Sequence, residues 1–394
     1  MQIENTIYNM QEYIERRIEK TVQQYLDVFP AVVILGPRQC GKSTLIKKMS
    51  EKMESFLYLD LQDINDLNKL TEPSLFFEAN RGTTICLDEI QLLPNLFSVL
   101  RSEIDRNRKN GRFILLGSAS RDLVQKSSET LAGRVGFIEL APFSVSEVID
   151  SNYNVNTHWF RGGYPDSYLA NTDFNSVIWL DNFIRTFVER DIPQLGFQIP
   201  ALHLKRFLML CAHNQGQLLN SSKFGESLNL THPTIKRYID LFEQTFLMRT
   251  IQPFDKNVKK RLVKSPKIYV RDSGILHRLF QLPDFNGLLG HPVFGSSWEG
   301  FVIENIISEF PDFSYYFYRT SSGNEVDLVI ETSSRKFVVE CKASAAPQLT
   351  KGNWSAIEDI KPDKSFIVSP VSSNYPIAEK IWITNLHNLF KELT

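Results

Sequence analysis

What the chain of 394 residues lacks narrows the field first. Its four cysteines, Cys40, Cys86, Cys211 and Cys341, stand far apart with no C-x-x-C pair, which excludes a disulfide framework and leaves no zinc signature. Net charge is almost nil: 44 Lys and Arg against 45 Asp and Glu leave −1, so charge as a whole singles out no partner. The longest apolar run, around Phe29–Leu35, falls far short of a bilayer span. Met1–Gln11 mixes Glu4 with polar residues and lacks the basic start and apolar core of a secretory signal. No internal repeat and no low-complexity tract is present. The histidines His158, His277 and His387 have no metal-ligand spacing and are assigned no role. A soluble, cytoplasmic protein with no membrane partner is the expectation.

What is there is ordinary globular composition, 42% apolar and 23% charged, in a length that suits two or three domains. Residues 1–27 read as a helix with Ile14, Ile18 and Tyr25 on one stripe. Five short apolar runs follow, Ala31–Leu35, Phe56–Leu59, Thr83–Leu87, Phe113–Leu116 and Val135–Leu140. They alternate with helical patterns, which predicts parallel β-α-β units with both sheet faces covered. From Phe143 to about Pro200 the spacing turns helical, interrupted once by Gly162-Gly163-Tyr164-Pro165.

Gly36-Pro37-Arg38-Gln39-Cys40-Gly41-Lys42-Ser43 fits G-x-x-x-x-G-K-[ST] between a strand and a helix that opens with Thr44. Its glycines let main-chain N–H groups curl round phosphate oxygens, Lys42 reaches the β and γ phosphates, and the Ser43 hydroxyl serves Mg2+. ATP and Mg2+ are the cofactors expected, with residues 36–44 as the binding loop. The run Thr83–Leu87 ends in Asp88-Glu89, at the carboxyl end of a strand where a parallel sheet opens onto its ligand. Asp88 would hold magnesium and Glu89 would activate the attacking water. Ser118, after the strand 113–116, either contacts the γ phosphate or its water, or caps the following helix. Arg134, before the next strand, either reaches a neighbouring subunit's nucleotide, which implies a homo-oligomer, or is a surface arginine.

That order resembles the AAA+ branch of P-loop ATPases. With GPRQxGKS, LDEIQ, LLGSAS, LAGR, RGGYP and VERDI, the chain is similar to a prokaryotic ATPase family whose AAA+-type core is fused to a C-terminal region. The resemblance covers roughly residues 15–345. It implies ATPase roles for Lys42, Ser43, Asp88 and Glu89, a sensor at Ser118, a finger at Arg134 and Arg161 as the candidate lid arginine.

Between residues 203 and 271, thirteen Lys and Arg face only Glu226, Asp240, Glu243 and Asp255. Such an excess suggests a segment built to meet phosphate. Helices over 221–230 and 234–242, the second with Ile235, Ile239 and Phe242 inward and Lys236, Arg237 and Tyr238 elsewhere, precede two strands around the basic run Lys256–Lys264. This looks like a winged helix, with nucleic acid as its partner and DNA favoured. A module that packs beside the ATPase without touching nucleic acid is the alternative.

A Pro/Gly-spaced stretch, Pro283–Gly295, separates the last segment. There, strands 323–330 and 336–342 read as a hairpin; with the turn between Ser333 and Ser334, Asp327 falls opposite Glu340, and Lys342 shares the face of Glu340. Opposed carboxylates repel unless a divalent cation lies between them. Glu299 sits on the apolar stripe of the preceding helix and needs a partner. Glu299, Asp327, Glu340 and Lys342 resemble the PD-(D/E)xK nuclease fold, with Val326 where its name has proline. That implies catalysis by Asp327, Glu340 and Lys342 on a metal held by Glu299, Asp327 and Glu340, against a fold that docks without cutting. The expected class is α/β: a P-loop AAA+-like parallel sheet (1–147) with a helical lid (148–200), then a winged helix (201–275) and a nuclease-like α/β domain (290–394).

Overall fold

The computed structural model describes residues 13–118, 130–149, 153–194, 197, 199–254 and 262–394. Five strands, β1 Ala31–Leu35, β2 Phe56–Asp60, β3 Thr84–Asp88, β4 Phe113–Gly117 and β5 Val135–Glu139, form one sheet in the order β2-β3-β4-β1-β5. Every pairing is parallel. The interior strand β1 shows why the apolar runs are unbroken: Ala31, Val33 and Leu35 enter the core on one face, Val32 and Ile34 that on the other. All β-α crossovers deliver their loops to the carboxyl edge, where β1 runs into residue 36 and β3 into residue 89.

The first helix covers only Glu19–Val28, not residues 1–27; residues 1–12 lie outside the described part. Residues 13–16 carry no helix because Arg16 is drawn across the molecule. Its guanidinium donates to the carbonyls of Cys40 and Ala141 and pairs with Glu147 at 3.0 Å, contacts that one face of a continuous helix would not bring together.

The lid region is helical, with Val155–Arg161, Pro165–Tyr168 and Asp173–Thr186 followed by a π-helical turn at Phe187–Asp191. Its RGGYP turn is a joint. Gly162 has φ +76°, and a Cβ there would lie 2.2 Å from Asp272 Oδ1; a Cβ on Gly163 would lie 2.4 Å from the Phe143 carbonyl. Asp272 accepts the Gly163 N–H at 2.9 Å and that of Ile275 at 2.9 Å, so it ties the lid to the helix Ser273–Leu279. Gly162→Ala meets both a disfavoured φ and a blocked Cβ. It is expected to cost about 2–4 kcal/mol, read as a lower urea midpoint with unchanged slope.

Beyond the lid, helices Ala201–His213, Ser221–Leu228 and His232–Gln244 pack with three short strands, β6 Gln217–Leu218, β7 Met248–Pro253 and β8 Lys267–Val270. These strands do not stop at the stretch 283–295. β7 pairs with β9 (Ser314–Arg319), and the sheet continues through β10 Glu325–Glu331, β11 Lys336–Cys341, β12 Lys364–Val368, β14 Ile381–Thr384 and the edge strand β13 Tyr375–Ala378. Leu288 and Val293, from the expected separator, are buried in a core that runs from Val145 to Leu393. The segments 201–275 and 290–394 therefore share one sheet and one core. Among the described residues no helix is long and apolar enough to cross a membrane, and all four cysteines are buried free thiols.

Candidate functional site

The loop after β1 is shaped by two demands. A Cβ on Gly36 would lie 2.2 Å from the Leu140 carbonyl, so only glycine lets the chain leave between its neighbours. Gln39 and Gly41 take φ of 61° and 97° to turn the loop into the helix Lys42–Ser50, whose positive end then faces the loop's interior. Cys40 is buried below, its carbonyl held by Arg16 at 2.9 Å. Lys42 is only 7% exposed, and its Nζ donates to the carbonyls of Gly36 at 2.9 Å and Pro37 at 2.8 Å.

β4 lies between β1 and β3, and that spacing sets the acids opposite the loop. Asp88 is buried; its Oδ2 accepts the Ser43 hydroxyl at 2.6 Å and the Tyr58 hydroxyl, and its Oδ1 accepts the Glu89 N–H at 2.9 Å. Burial, reinforced by this bond to Asp88, pushes the Tyr58 phenol well above its ordinary value, so Tyr58 stays a donor. Glu89 has φ 56°, a left-handed conformation costing about 1–3 kcal/mol at a non-glycine residue and concentrated at functional sites. Its carboxylate accepts from the Gln91 amide and from Ser118 Oγ at 3.1 Å. Ser118 thus contacts Glu89; the segment it was alternatively expected to cap, 119–129, lies outside the described residues.

The lid closes the other side. A cavity of about 470 Å3 is lined by Lys42, Ser43, Thr44, Asp88 and Glu89 and, from the lid, by Arg190 among others. Arg38 crosses it to an ion pair with Asp191. Arg161, the expected lid arginine, is not there. It pairs with Asp173 at 2.7 Å and donates to the Ala170 carbonyl, bracing the lid internally. Arg190 lies on the π-helical turn and is exposed. Arg16, Tyr58, Gln91, Arg190 and Asp191 were missed from the sequence; the last two lie inside VERDI, and only that motif could have flagged them. Arg134 sits at the amino end of the sheet, its carbonyl accepting the Ala31 N–H at 3.1 Å, and its guanidinium grips Asp105 at 2.6 and 3.0 Å. It is far from its own chain's loop.

The basic middle is less bare than it reads. Arg249 and Arg271 pair with Glu304 at 2.6 and 2.9 Å, Arg271 also with Glu139 at 2.6 Å, and Lys267 with Glu299 at 3.0 Å and Glu325 at 2.7 Å. Their partners come from outside residues 203–271. Lys205, Arg206, Lys223, Lys236, Arg237 and Lys264 are exposed; Lys256, Lys259, Lys260 and Arg261 lie outside the described residues. On His232–Gln244, Ile235, Ile239 and Phe242 are buried, and so is Tyr238, which corrects its expected outward position.

At the far end, β10 and β11 pair antiparallel from Glu331 opposite Lys336 to Leu328 opposite Val339, and Asp327 and Glu340 are the next residue of each strand, as the expected register requires. Asp327 and Glu340 are buried, and the Asp327 carboxylate takes the Cys341 N–H at 2.9 Å. Lys342 Nζ lies 2.7 Å from Glu340 Oε1. Burial, then the neighbouring Asp327, lifts the carboxyls of Glu299 to about 7 and Glu340 to about 8. Two cations stand among these acids, Lys342 on Glu340 and Lys267 on Glu299 and Asp327. Among the described residues no group of three or more His, Cys, Asp or Glu is arranged to hold a metal ion; of the acids expected to hold one, Glu299 and Asp327 face the buried Lys267 ammonium and Glu340 faces Lys342.

A family model described as an AAA domain matches residues 28–149. Two models of domains of unknown function, DUF8612 and DUF4143, match residues 152–286 and 294–389. Uncharacterized proteins of Mycobacterium tuberculosis and Mycobacterium bovis are each 37% identical over 369 residues, 93% of this chain and 83% of the relative. One of Haemophilus influenzae is 24% identical over 284 residues, 64% of this chain and 70% of its own length. Among solved structures, the Walker-type ATPase of Pyrococcus abyssi overlaps with a TM-score of 0.46 at 13% identity, over 68% of this chain and 96% of that one.

Proposed function

The chain belongs to the family of the two mycobacterial proteins, with an AAA domain at its core, and from that premise we propose that it binds ATP between the P-loop and the lid and hydrolyses it. One observation carries the reading: Lys42, Ser43, Asp88 and Glu89, from two separate segments, line a single cavity. The donor set fits magnesium. A serine hydroxyl and an aspartate converge at 2.6 Å, and Mg2+ takes one or two such protein oxygens together with substrate phosphates and water. Ser43 and Asp88 would hold it, and bound there it supplies positive charge to the β and γ phosphates. Lys42 would exchange its two loop carbonyls for phosphate oxygens. Glu89, steered by Gln91 and Ser118, would orient the attacking water and take its proton.

The lid carries the nucleotide state onward, through Asp191 on Arg38 and Gly163 on Asp272. We read the module at 201–275 as a winged helix whose exposed Lys205, Arg206, Lys223, Lys236, Arg237 and Lys264 meet a nucleic-acid backbone, DNA first. The terminal module then docks and couples rather than cuts, a reading favoured over cleavage by the lysine among its acids. Arg134 would serve a neighbouring copy of the chain, on release from Asp105. The test is phosphate release from ATP and Mg2+ with and without DNA, and DNA retention on filters across a salt series. Folded protein with neither nucleotide affinity nor turnover overturns the ATPase reading; DNA retention that does not fall with salt overturns the backbone contact.

A further inference from the structure

Lys267 belongs to β8, in the winged-helix-like module, yet its side chain is 2% exposed and ends among acids of the terminal module. Its Nζ lies 3.0 Å from Glu299 Oε1, 2.7 Å from Glu325 Oε1 and 3.5 Å from Asp327 Oδ1. Tyr269 adds a hydroxyl to Glu299 Oε1 at 2.6 Å, and the Phe317 ring lies beneath the ammonium, 5.6 Å from its centroid. Glu340, one residue beyond the Leu328–Val339 pair, completes the group; its Oε1 holds Lys342 at 2.7 Å and its Oε2 is buried without a hydrogen-bond partner.

A buried lysine on its own sheds its proton. Here three carboxylates, of Glu299, Glu325 and Asp327, stand within 3.5 Å of the ammonium, an arrangement that favours its charged form. Buried carboxylates, for their part, demand a cation. We infer that Lys267 is the resident cation of this site: an ammonium supplied by one module does the charge-balancing a divalent ion would otherwise do in the other, so the acids are filled from within. The consequence is mechanical. Helix Phe294–Glu309, through Glu299, and strand β10, through Glu325 and Asp327, are bolted to β8, so displacements of the middle module are transmitted to the terminal one. This does not depend on the nucleotide reading, since its measurements involve no ATP.

The experiment is metal complementation in the full chain. Lys267→Ala strands the acids, and the melting temperature is expected to fall by roughly 10 °C. Millimolar Mn2+ is expected to recover most of that loss in Lys267→Ala while leaving the wild type unmoved. The triple variant Lys267→Ala/Glu299→Gln/Asp327→Asn, which removes the charges with their counter-ion, is expected to be more stable than Lys267→Ala and indifferent to Mn2+; it keeps Asp88, so metal acting at the P-loop would show there as well. Should Lys267→Ala yield no soluble protein, the comparison moves to soluble yield of the single and triple variants, with and without Mn2+. The inference is overturned if the triple variant is no better than the single, if Mn2+ rescues neither melting nor yield of Lys267→Ala, or if wild-type protein is stabilised by Mn2+, or cleaves DNA, in a manner abolished by Asp327→Asn.

Discussion

Lys42→Ala is expected to reduce ATP turnover by roughly 100- to 1000-fold, the scale on which a single preorganised donor to a developing anion acts. Within the loop the ammonium donates to the Gly36 and Pro37 carbonyls at 2.9 and 2.8 Å. It is therefore held inside the curve that a phosphate chain would occupy, and its transfer to phosphate requires little reordering of the side chain. Alanine removes both interactions, leaving two carbonyls short of a partner at a cost of about 1–3 kcal/mol each if water does not reach them. Loss of turnover and loss of stability must be separated. Phosphate release is to be measured beside the thermal transition, at ATP concentrations spanning the binding range. A folded variant that keeps wild-type turnover would remove Lys42 from the chemistry, and with it the reason to place the triphosphate in this cavity.

Much of the candidate site was legible because its parts are local. The loop 36–43 is contiguous, its strand and helix flank it, and Asp88-Glu89 terminate a strand whose pattern is plain. Even the hairpin register that sets Asp327 opposite Glu340 follows from one turn position. What escaped depends on residues far apart in the chain. Tyr58 reads as an ordinary strand aromatic until β2 lies beside β3 and brings its hydroxyl to Asp88. Arg16 reads as one charge in a helix, yet is nearly buried under the loop. The excess of cations in 203–271 was real as composition and overstated as surface, although Lys205, Arg206, Lys223, Lys236, Arg237 and Lys264 are exposed. Arg249, Arg271 and Lys267 face inward onto Glu304, Glu139, Glu299 and Glu325, and charge summed along a window cannot see partners outside it. That the middle and terminal modules share a sheet was illegible for a related reason: two parallel pairs, Gln252 with Tyr316 and Pro253 with Phe317, carry it across the stretch 283–295.

Glu89→Gln is the second large effect, and its sign differs between binding and chemistry. The amide keeps the size of the side chain and a carbonyl oxygen for Ser118 Oγ, now 3.1 Å from the carboxylate, so the cavity and its nucleotide affinity are expected to survive. What is lost is a base, a contribution of about 100- to 10,000-fold. The left-handed backbone at residue 89 is evidence that the acid is aimed, since about 1–3 kcal/mol of conformational cost is retained where an ordinary β-region residue would avoid it. Gln91 and Ser118 then bear on the same oxygen and fix the carboxylate's rotation. The variant is thus expected to accumulate with uncleaved ATP, retaining a fluorescent ATP analogue near wild-type affinity while phosphate release falls to the background of Lys42→Ala. If nucleotide retention and turnover instead fall together, Glu89 holds the loop rather than the water. If turnover stays within about threefold of wild type, a proton-transfer contribution of the expected size is absent at Glu89, and the base lies elsewhere along the cavity wall.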